Sequence, residues 1–289
     1  SSGQVNIPAG FIRYEDGISL IRDHNKTVFI SAEDEVVTLQ DRYSLADNLA
    51  VFSSRGPRGY DSKLKPDITA PGAGIYAARM GSGTGGISMS GTSMATPHIS
   101  GVVALIKQAH RDWNTEQIKA ALMNTAVNLV DENGTSVSDI PRQGAGRVDA
   151  YRSVLSNTIA IGDSDLVSLN WGVVPFENNA YSDTKYITLQ NFSTSAKTYA
   201  VTWSFGSNSK REGLSLSMPT TVEIKPSPGI AHFPITLSLD GSKVPNEVFQ
   251  LEEYYGLVEF KNTEDAQDVL RLPFFVVPQP YAQLTIVGS

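Results

Sequence analysis

Ser90-Gly91-Thr92-Ser93-Met94-Ala95-Thr96-Pro97-His98 is the stretch from which the rest of the chain can be read. Behind its Gly-Thr-Ser opening, Val102, Val103, Ile106 and Ala109 fall at helical spacing, which predicts a helix within Met89 to His110 buried along much of its surface. A serine in the first turn sits beside backbone N–H groups that no helical carbonyl can occupy, at the positive end of the helix dipole. Such a place favours developing negative charge and makes half of an oxyanion hole. Gly91 lets a substrate backbone approach. Pro97 has no N–H, so with Ser93 as the first helical residue it leaves the Ser93 carbonyl free.

Working outward, Asn114 followed by Gln117 forms a capping box, and Ile118, Ala121, Leu122 and Ala126 give the apolar face of a second helix. Gly144-Ala145-Gly146 closes that region. Beyond about Asn157 the period changes to two. Tyr199, Val201, Trp203 and Phe205 alternate with polar neighbours, as do Leu214 and Leu216, then Phe233, Ile235, Leu237 and Leu239. With Tyr186 to Gln190, Tyr255 to Phe260 and Val269 to Val277 added, about seven strands fit the last 130 residues or so, which suits a β-sandwich. Upstream, a strand around Ile7 to Ile12, a helix from Glu15 to His24 and a strand at Thr27 to Ile30 read as the tail of a small α/β unit.

The nine-residue stretch resembles the nucleophile motif of subtilisin-like serine peptidases. Four companions occur in the family's order: Ser53-Ser54-Arg55-Gly56-Pro57, Lys65-Pro66-Asp67-Ile68-Thr69-Ala70-Pro71-Gly72, Ile118 to Ala126, and Gly144-Ala145-Gly146-Arg147-Val148-Asp149-Ala150. An isolated Gly-Thr-Ser would read as an ordinary N-cap; the long motif with its companions does not. The resemblance implies a serine, histidine, aspartate triad in which Ser93 is the catalytic nucleophile. The family's Asp motif, His-Gly-Thr-His motif and oxyanion asparagine match nothing in residues 1–92. The resemblance therefore covers the C-terminal part of a catalytic domain and implies an upstream segment, carrying Asp and His, as partner.

None of the four histidines is expected to replace the base. His98 is five residues after Ser93, about 140° round the helix and about 7.5 Å further along, facing away. It reads as a packed or capped histidine, His110 as a favourable contact near a helix C-terminus, and His24 and His232 as ordinary surface or packing residues.

The resemblance extends to both ends. Ile7-Pro8-Ala9-Gly10-Phe11-Ile12, followed by Glu15-Asp16-Gly17, is similar to the final strand and helix of the protease-associated domain inserted in some large subtilases. Trp171-Gly172 and Leu270-Arg271-Leu272-Pro273-Phe274 are similar to the fibronectin type III-like domain that follows the catalytic domain in that subfamily. The expected organisation is thus a protease-associated tail (1–30), the C-terminal part of the catalytic domain (31–156) and a fibronectin type III-like sandwich (157–289). In fold class this is an α/β subtilisin-like unit, a partial parallel sheet with helices, followed by an all-β sandwich.

Composition narrows the classes further. The 289 residues carry 23 Lys+Arg against 30 Asp+Glu, a net charge of -7 with no basic cluster, which argues against nucleic acid as a partner. No apolar run approaches the roughly 20 residues of a membrane span. The absence of cysteine excludes disulfides, thiolate metal sites and a cysteine nucleophile. Charged residues make up 18%, which with abundant Ser, Thr, Asn and Gly resembles the surface of many secreted proteins, so an extracellular or cell-surface location is expected. The opening Ser1-Ser2-Gly3-Gln4, without Met or an apolar leader, is read as following removed upstream sequence.

Several lesser motifs carry less. Gly81-Ser82-Gly83-Thr84-Gly85-Gly86 satisfies G-x-G-x-x-G but is not followed by a crossover helix; it is either a flexible wall beside a substrate cleft or a surface turn. Asp131-Glu132-Asn133-Gly134 offers oxygen ligands for calcium, but without EF-hand spacing it reads as a solvated turn, and no metal or cofactor is assigned. Asn25, Asn133 and Asn191 head glycosylation sequons. Tyr199, Trp203 and Phe205 at strand spacing read as core rather than an aromatic binding face. Two functions follow: a subtilisin-type serine endopeptidase acting on protein or peptide substrates once its upstream segment is supplied, or a non-catalytic interaction module derived from one.

Overall fold

The computed structural model describes residues 46–131, 133–163, 166–176, 180–244 and 252–280, with the backbone of two short strands before them. Those are β1 (Val28–Phe29) and β2 (Val36–Val37), an antiparallel pair. The strand expected at Thr27 to Ile30 is therefore present in its central two residues. The strand expected at Ile7 to Ile12 and the helix at Glu15 to His24 lie outside the described residues.

The next stretch mixes hairpins and helices. β3 (Ile75–Ala78) and β4 (Gly86–Met89) form an antiparallel hairpin that runs directly into α1 (Thr92–Ala109). α2 (Thr115–Asn124) begins with the expected capping box: Asn114 Oδ1 accepts from the Gln117 N–H, and Gln117 Oε1 accepts from the Asn114 N–H, each at 2.9 Å. Its apolar face is buried as the period required, with Ile118, Ala121, Leu122 and Met123 inside. A second hairpin, β5 (Leu129–Val130) with β6 (Ser136–Val137), leads to the short helices α3 (Ile140–Gln143) and α4 (Ala150–Leu155). Parallel pairing within 46–156 is confined, among the described residues, to the bridge between Thr69 and Arg147, where a partial parallel sheet was expected. Parallel strands form a sheet only with neighbours brought in by crossover connections.

Among the described residues nine strands, rather than about seven, follow: β7 (Thr158–Ile161), β8 (Leu169–Phe176), β9 (Ala180–Asn191), β10 (Lys197–Phe205), β11 (Leu214–Ser217), β12 (Thr221–Ile224), β13 (Gly229–Asp240), β14 (Tyr254–Asn262) and β15 (Val269–Pro280). Six of them match segments named from the sequence, and β7, β8 and β12 are additional. β7 is buried at all four positions, so both of its faces are apolar and the period-two signal vanishes. The strands form a five-stranded sheet, β12-β10-β14-β15-β8, and a four-stranded sheet, β11-β13-β9-β7. All pairs are antiparallel except β15 with β8. Inward side chains of the two sheets meet in one apolar cluster, with Phe233 of β13 and Phe260 of β14 edge to face at 6.0 Å. Tyr199 is fully buried and Trp203, Phe205 and Phe274 pack against one another, so these aromatics belong to the interior.

The same cluster takes in α2, which lies against β7 and β15. Trp113 stacks on His110 at 3.8 Å and meets Phe192 at 4.8 Å, while Gln117 Nε2 donates to Gln190 Oε1. Asn124, completely buried, donates from Nδ2 to the Arg271 carbonyl at 2.9 Å and accepts at Oδ1 from the Ala160 N–H at 2.7 Å.

α1 departs from expectation. Only Val102 and Ile106 are buried, while Leu105 is 50% exposed and Ala104, Gly101 and Ser100 face outward. The composition states what this helix can bury. Covering it takes further chain against its outer face, and none of the described residues supplies that cover.

Candidate active site

Ser93 owes its position to the strand-turn-helix path from β4 into α1. The helix begins at Thr92, so that Ser93 is its second residue, with Gly91 at its N-cap and no acidic residue in the first turn. The amides of Met94 and Ala95 turn back to the Gly91 carbonyl at 3.0 and 3.4 Å. Those of Thr92 and Ser93 come before any carbonyl within the helix that they could reach, so the positive end of the dipole is left for a developing anion. Pro97 supplies no N–H to the Ser93 carbonyl, as expected of a proline four residues on. The Ser93 side chain is exposed.

The loop that leads into β3 is bonded to this turn. Gly91 N–H donates to the Gly72 carbonyl at 2.8 Å, and Gly74 N–H donates to Ser90 Oγ at 2.8 Å. The segment ending at Gly72 is itself tied to the glycine-rich stretch, with Thr69 N–H donating to the Gly146 carbonyl and Val148 N–H to the Thr69 carbonyl, each at 2.8 Å. Gly146 has φ +124, and a Cβ there would come within 2.2 Å of the Val127 carbonyl oxygen, so the motif's glycine is required by backbone packing. Two of the companion motifs, 65–72 and 144–150, are thus joined by backbone hydrogen bonds to each other and, through Gly72, to the start of α1.

Two open cavities flank that helix start. One of about 430 Å³ contains Ser93 with Met94, Met89, Ile75, Ile87 and His98 on its walls. The other, about 500 Å³, lies across the first turn between Gly91, Ala95, Ile99, Phe52, Pro71 and Arg147. Both are lined mainly by apolar atoms, as a cleft that takes up polypeptide would be.

Each of the described histidines has a ring nitrogen within hydrogen-bond distance of a neighbouring oxygen. His98 Nδ1 is 2.8 Å from the Met94 carbonyl in the preceding turn, His110 Nε2 is 2.8 Å from the Val154 carbonyl, and His232 Nδ1 is 2.9 Å from Thr188 Oγ1; His24 lies outside the described residues. Arranged this way, the described residues offer a hydroxyl and backbone amides for an oxyanion, but no histidine hydrogen-bonded to that hydroxyl.

The lesser motifs resolve too. Gly81 to Gly85 form the exposed turn of the β3–β4 hairpin, with Ser82 Oγ donating to the Arg79 carbonyl at 2.7 Å. Asp131 Oδ1 accepts from the amides of Asn133 and Thr135 at 2.9 and 2.8 Å, as in a solvated turn. Among the described residues no cluster of His, Asp and Glu could hold a metal. Asn191 is 1% exposed and donates to two carbonyls, so its sequon is closed to a glycan in the folded chain, whereas Asn133 is exposed. Arg271 and Asn124 are among the polar groups that tie the helical part to the sheets, and sequence reasoning gives neither of them a role. Arg271 sits in an alternating apolar run, Leu270-Arg271-Leu272, and a charge there was the available signal.

Comparison with known proteins settles the family. The model of the subtilase peptidase family matches residues 4–149. The chain belongs to the subtilase family. It is 35% identical over 224 residues to the minor extracellular protease Vpr of Bacillus subtilis, covering 73% of this chain and 26% of that protein. It is 44% identical over 126 residues to the subtilisin-like protease SBT3.16 of Arabidopsis thaliana, covering 43% and 16%. The CO(2)-response secreted protease of Arabidopsis thaliana is 40% identical over 147 residues, 43% of this chain and 19% of that protein. The chain spans about a quarter or less of the length of these relatives. Among the described residues of this subtilase, no helix is long and apolar enough to cross a membrane.

Proposed function

We propose that this subtilase chain is the C-terminal portion of a secreted serine endopeptidase, with Ser93 as nucleophile. Residues 1–30 are the tail of a protease-associated insert, 31–156 the C-terminal part of an α/β subtilisin-like catalytic domain, and 157–289 a fibronectin type III-like sandwich. The aspartate, histidine and oxyanion asparagine reside on an upstream segment. Ser93 Oγ attacks the carbonyl carbon of a peptide bond while its proton passes to the upstream imidazole. That proton then goes to the departing amine, and water releases the acyl group from Ser93 by the reverse path. The Ser93 amide at the start of α1 is placed to stabilise the tetrahedral oxyanion.

One observation carries the reading: an exposed serine heads a helix on whose outer face Leu105, Ala104 and Gly101 are left uncovered by the described residues, beside two open apolar cavities. An upstream half that brings the base would also cover Leu105 and its neighbours. The experiment is labelling with a fluorophosphonate probe. Ser93 is expected to be acylated when the upstream segment is present, and Ser93→Ala to abolish the signal. Equal labelling of the 289-residue chain alone would show that the base is misplaced in this scheme. No labelling with the upstream segment present would instead favour a non-catalytic module.

A further inference from the structure

Arg271 is a buried charge that the proposed chemistry does not use. It lies on β15 at 5% exposure. Its Nη1 donates to the Ala126 carbonyl at 3.0 Å and reaches the Ala145 carbonyl at 3.5 Å, and its Nη2 donates to Asn128 Oδ1. The carboxylate of Glu259 stands 3.9 Å from Nε, which is itself buried without a hydrogen-bond partner. Burial draws the guanidinium below its ordinary value, against the opposing pull of Glu259. A cation held mainly by carbonyls is a poor device for stability alone, since a well-packed apolar side chain of similar volume does as well or better. What a planar fork supplies is geometry, because it fixes several acceptors at once.

Those acceptors are well placed. Ala126 and Asn128 flank Val127, which exchanges backbone hydrogen bonds with Arg147 at 2.9 and 2.8 Å, and Ala145 precedes Gly146. Gly146 and Val148 clasp Thr69, and three residues on, the Gly72 carbonyl holds the Gly91 N–H. Hydrogen bonds and the short run of chain from Thr69 to Gly72 thus link the guanidinium to the residue before Thr92-Ser93, and the Arg271 carbonyl is tied to the 124–128 segment by Asn124. We infer that Arg271 is a positioning residue for Ser93: from the β-rich part it locks the 124–128 and 145–148 segments, and through Thr69 and Gly72 these set the start of α1. The sheets on this view are a brace for the nucleophile rather than an appendage. The inference rests on the reading of Ser93 given above.

Two measurements test it, the first of them independent of that reading. In the 289-residue chain, Arg271→Lys keeps the charge but loses the fork. Amide hydrogen exchange at Thr69, Val148 and Gly91 is expected to speed up by about tenfold or more with the β9–β13 ladder unchanged. A uniform acceleration that includes that ladder, or none, overturns the inference. In the chain joined to its upstream segment, the acylation rate at saturating fluorophosphonate, per folded molecule, is expected to fall by about tenfold or more in Arg271→Lys, with half-saturation little changed. Arg271→Met, matched in volume, is expected to do the same. If it does not fold, the lysine variant decides. A rate equal to wild type in a folded variant overturns the positioning role. If wild type itself is not labelled, the peptidase reading fails, and the exchange experiment still decides whether Arg271 braces the helix start.

Discussion

Gly72 and Gly91 touch backbone to backbone. The Gly91 N–H donates to the Gly72 carbonyl at 2.8 Å, and a Cβ on Gly72 would stand 2.9 Å from the Gly91 carbonyl oxygen and 3.3 Å from the Ala95 Cβ. Both neighbours are backbone or the first atom of a side chain, so neither can swing aside. Gly72→Ala therefore has to push the loop before β3 and the helix start apart. The expected result is a loss of about 1–3 kcal/mol in stability by urea unfolding. In the chain with its upstream segment, acylation of Ser93 is also expected to slow by more than tenfold, since small misplacements of a reacting group are costly. Wild-type stability and acylation in this variant would show that the contact relaxes freely.

Asn124 offers a second point of attack, remote from the serine. Its amide satisfies the Arg271 carbonyl and the Ala160 N–H, both buried. Asn124→Ala strands both groups, and leaving buried backbone polar atoms unpaired costs about 1–3 kcal/mol each. Urea unfolding of the 289-residue chain is expected to show a loss of about 2–5 kcal/mol. A loss below about 1 kcal/mol would mean that water or a neighbour takes over both bonds.

How far the sequence could be read depended on where each residue's partners lay. The capping box at Asn114 and Gln117 was legible because both halves lie within four residues. The alternation of Phe233, Ile235, Leu237 and Leu239 was legible because one face of β13 is wet. β7 was not legible, being buried on both faces, and neither was the cover of α1, whose apolar residues state a capacity for burial but not what meets it. Ser93 could be read as a candidate nucleophile because the chemistry of a helix start, and the motif around it, are local in sequence. The Arg271 fork could not, because its acceptors lie about 125 to 145 positions away in sequence.

Leu105 distinguishes a helix that is bare from one that waits for cover. At 50% exposure, its truncation in the 289-residue chain is expected to cost about 1 kcal/mol or less, with alanine's helix propensity partly compensating. Once the upstream segment is joined and packs on this face, Leu105→Ala opens a cavity, and the cost should rise to about 2–4 kcal/mol. The pair of variants is compared by thermal and urea unfolding in both lengths of chain. Equal costs in the two would show that the upstream segment does not cover this part of α1.

Three buried phenols give the chain an alkaline limit. Burial pushes the Tyr254 hydroxyl up to about 12 and raises Tyr199 and Tyr255 as well. The three hydroxyls donate to the Glu212 carbonyl at 2.9 Å, to Asp268 Oδ2 at 2.8 Å and to Asp139 Oδ1 at 3.2 Å. In the unfolded chain each phenol ionises near about 10. Above that pH the unfolded state releases protons that the folded state retains, so the stability from these groups, full below about 10, falls as pH rises toward and through the folded values. The expected slope is about 1.4 kcal/mol per pH unit for each such group. Tyr254→Phe removes one titrating site together with one hydrogen bond. It is expected to be less stable by about 1 kcal/mol at about pH 8, and to lose stability less steeply above about pH 10. Urea unfolding followed by circular dichroism between about pH 8 and pH 11.5, with tyrosinate absorbance read in parallel, measures both slopes. A wild-type stability that stays level to the upper end of that range, or a phenylalanine variant with the same slope, would place the Tyr254 hydroxyl in contact with solvent.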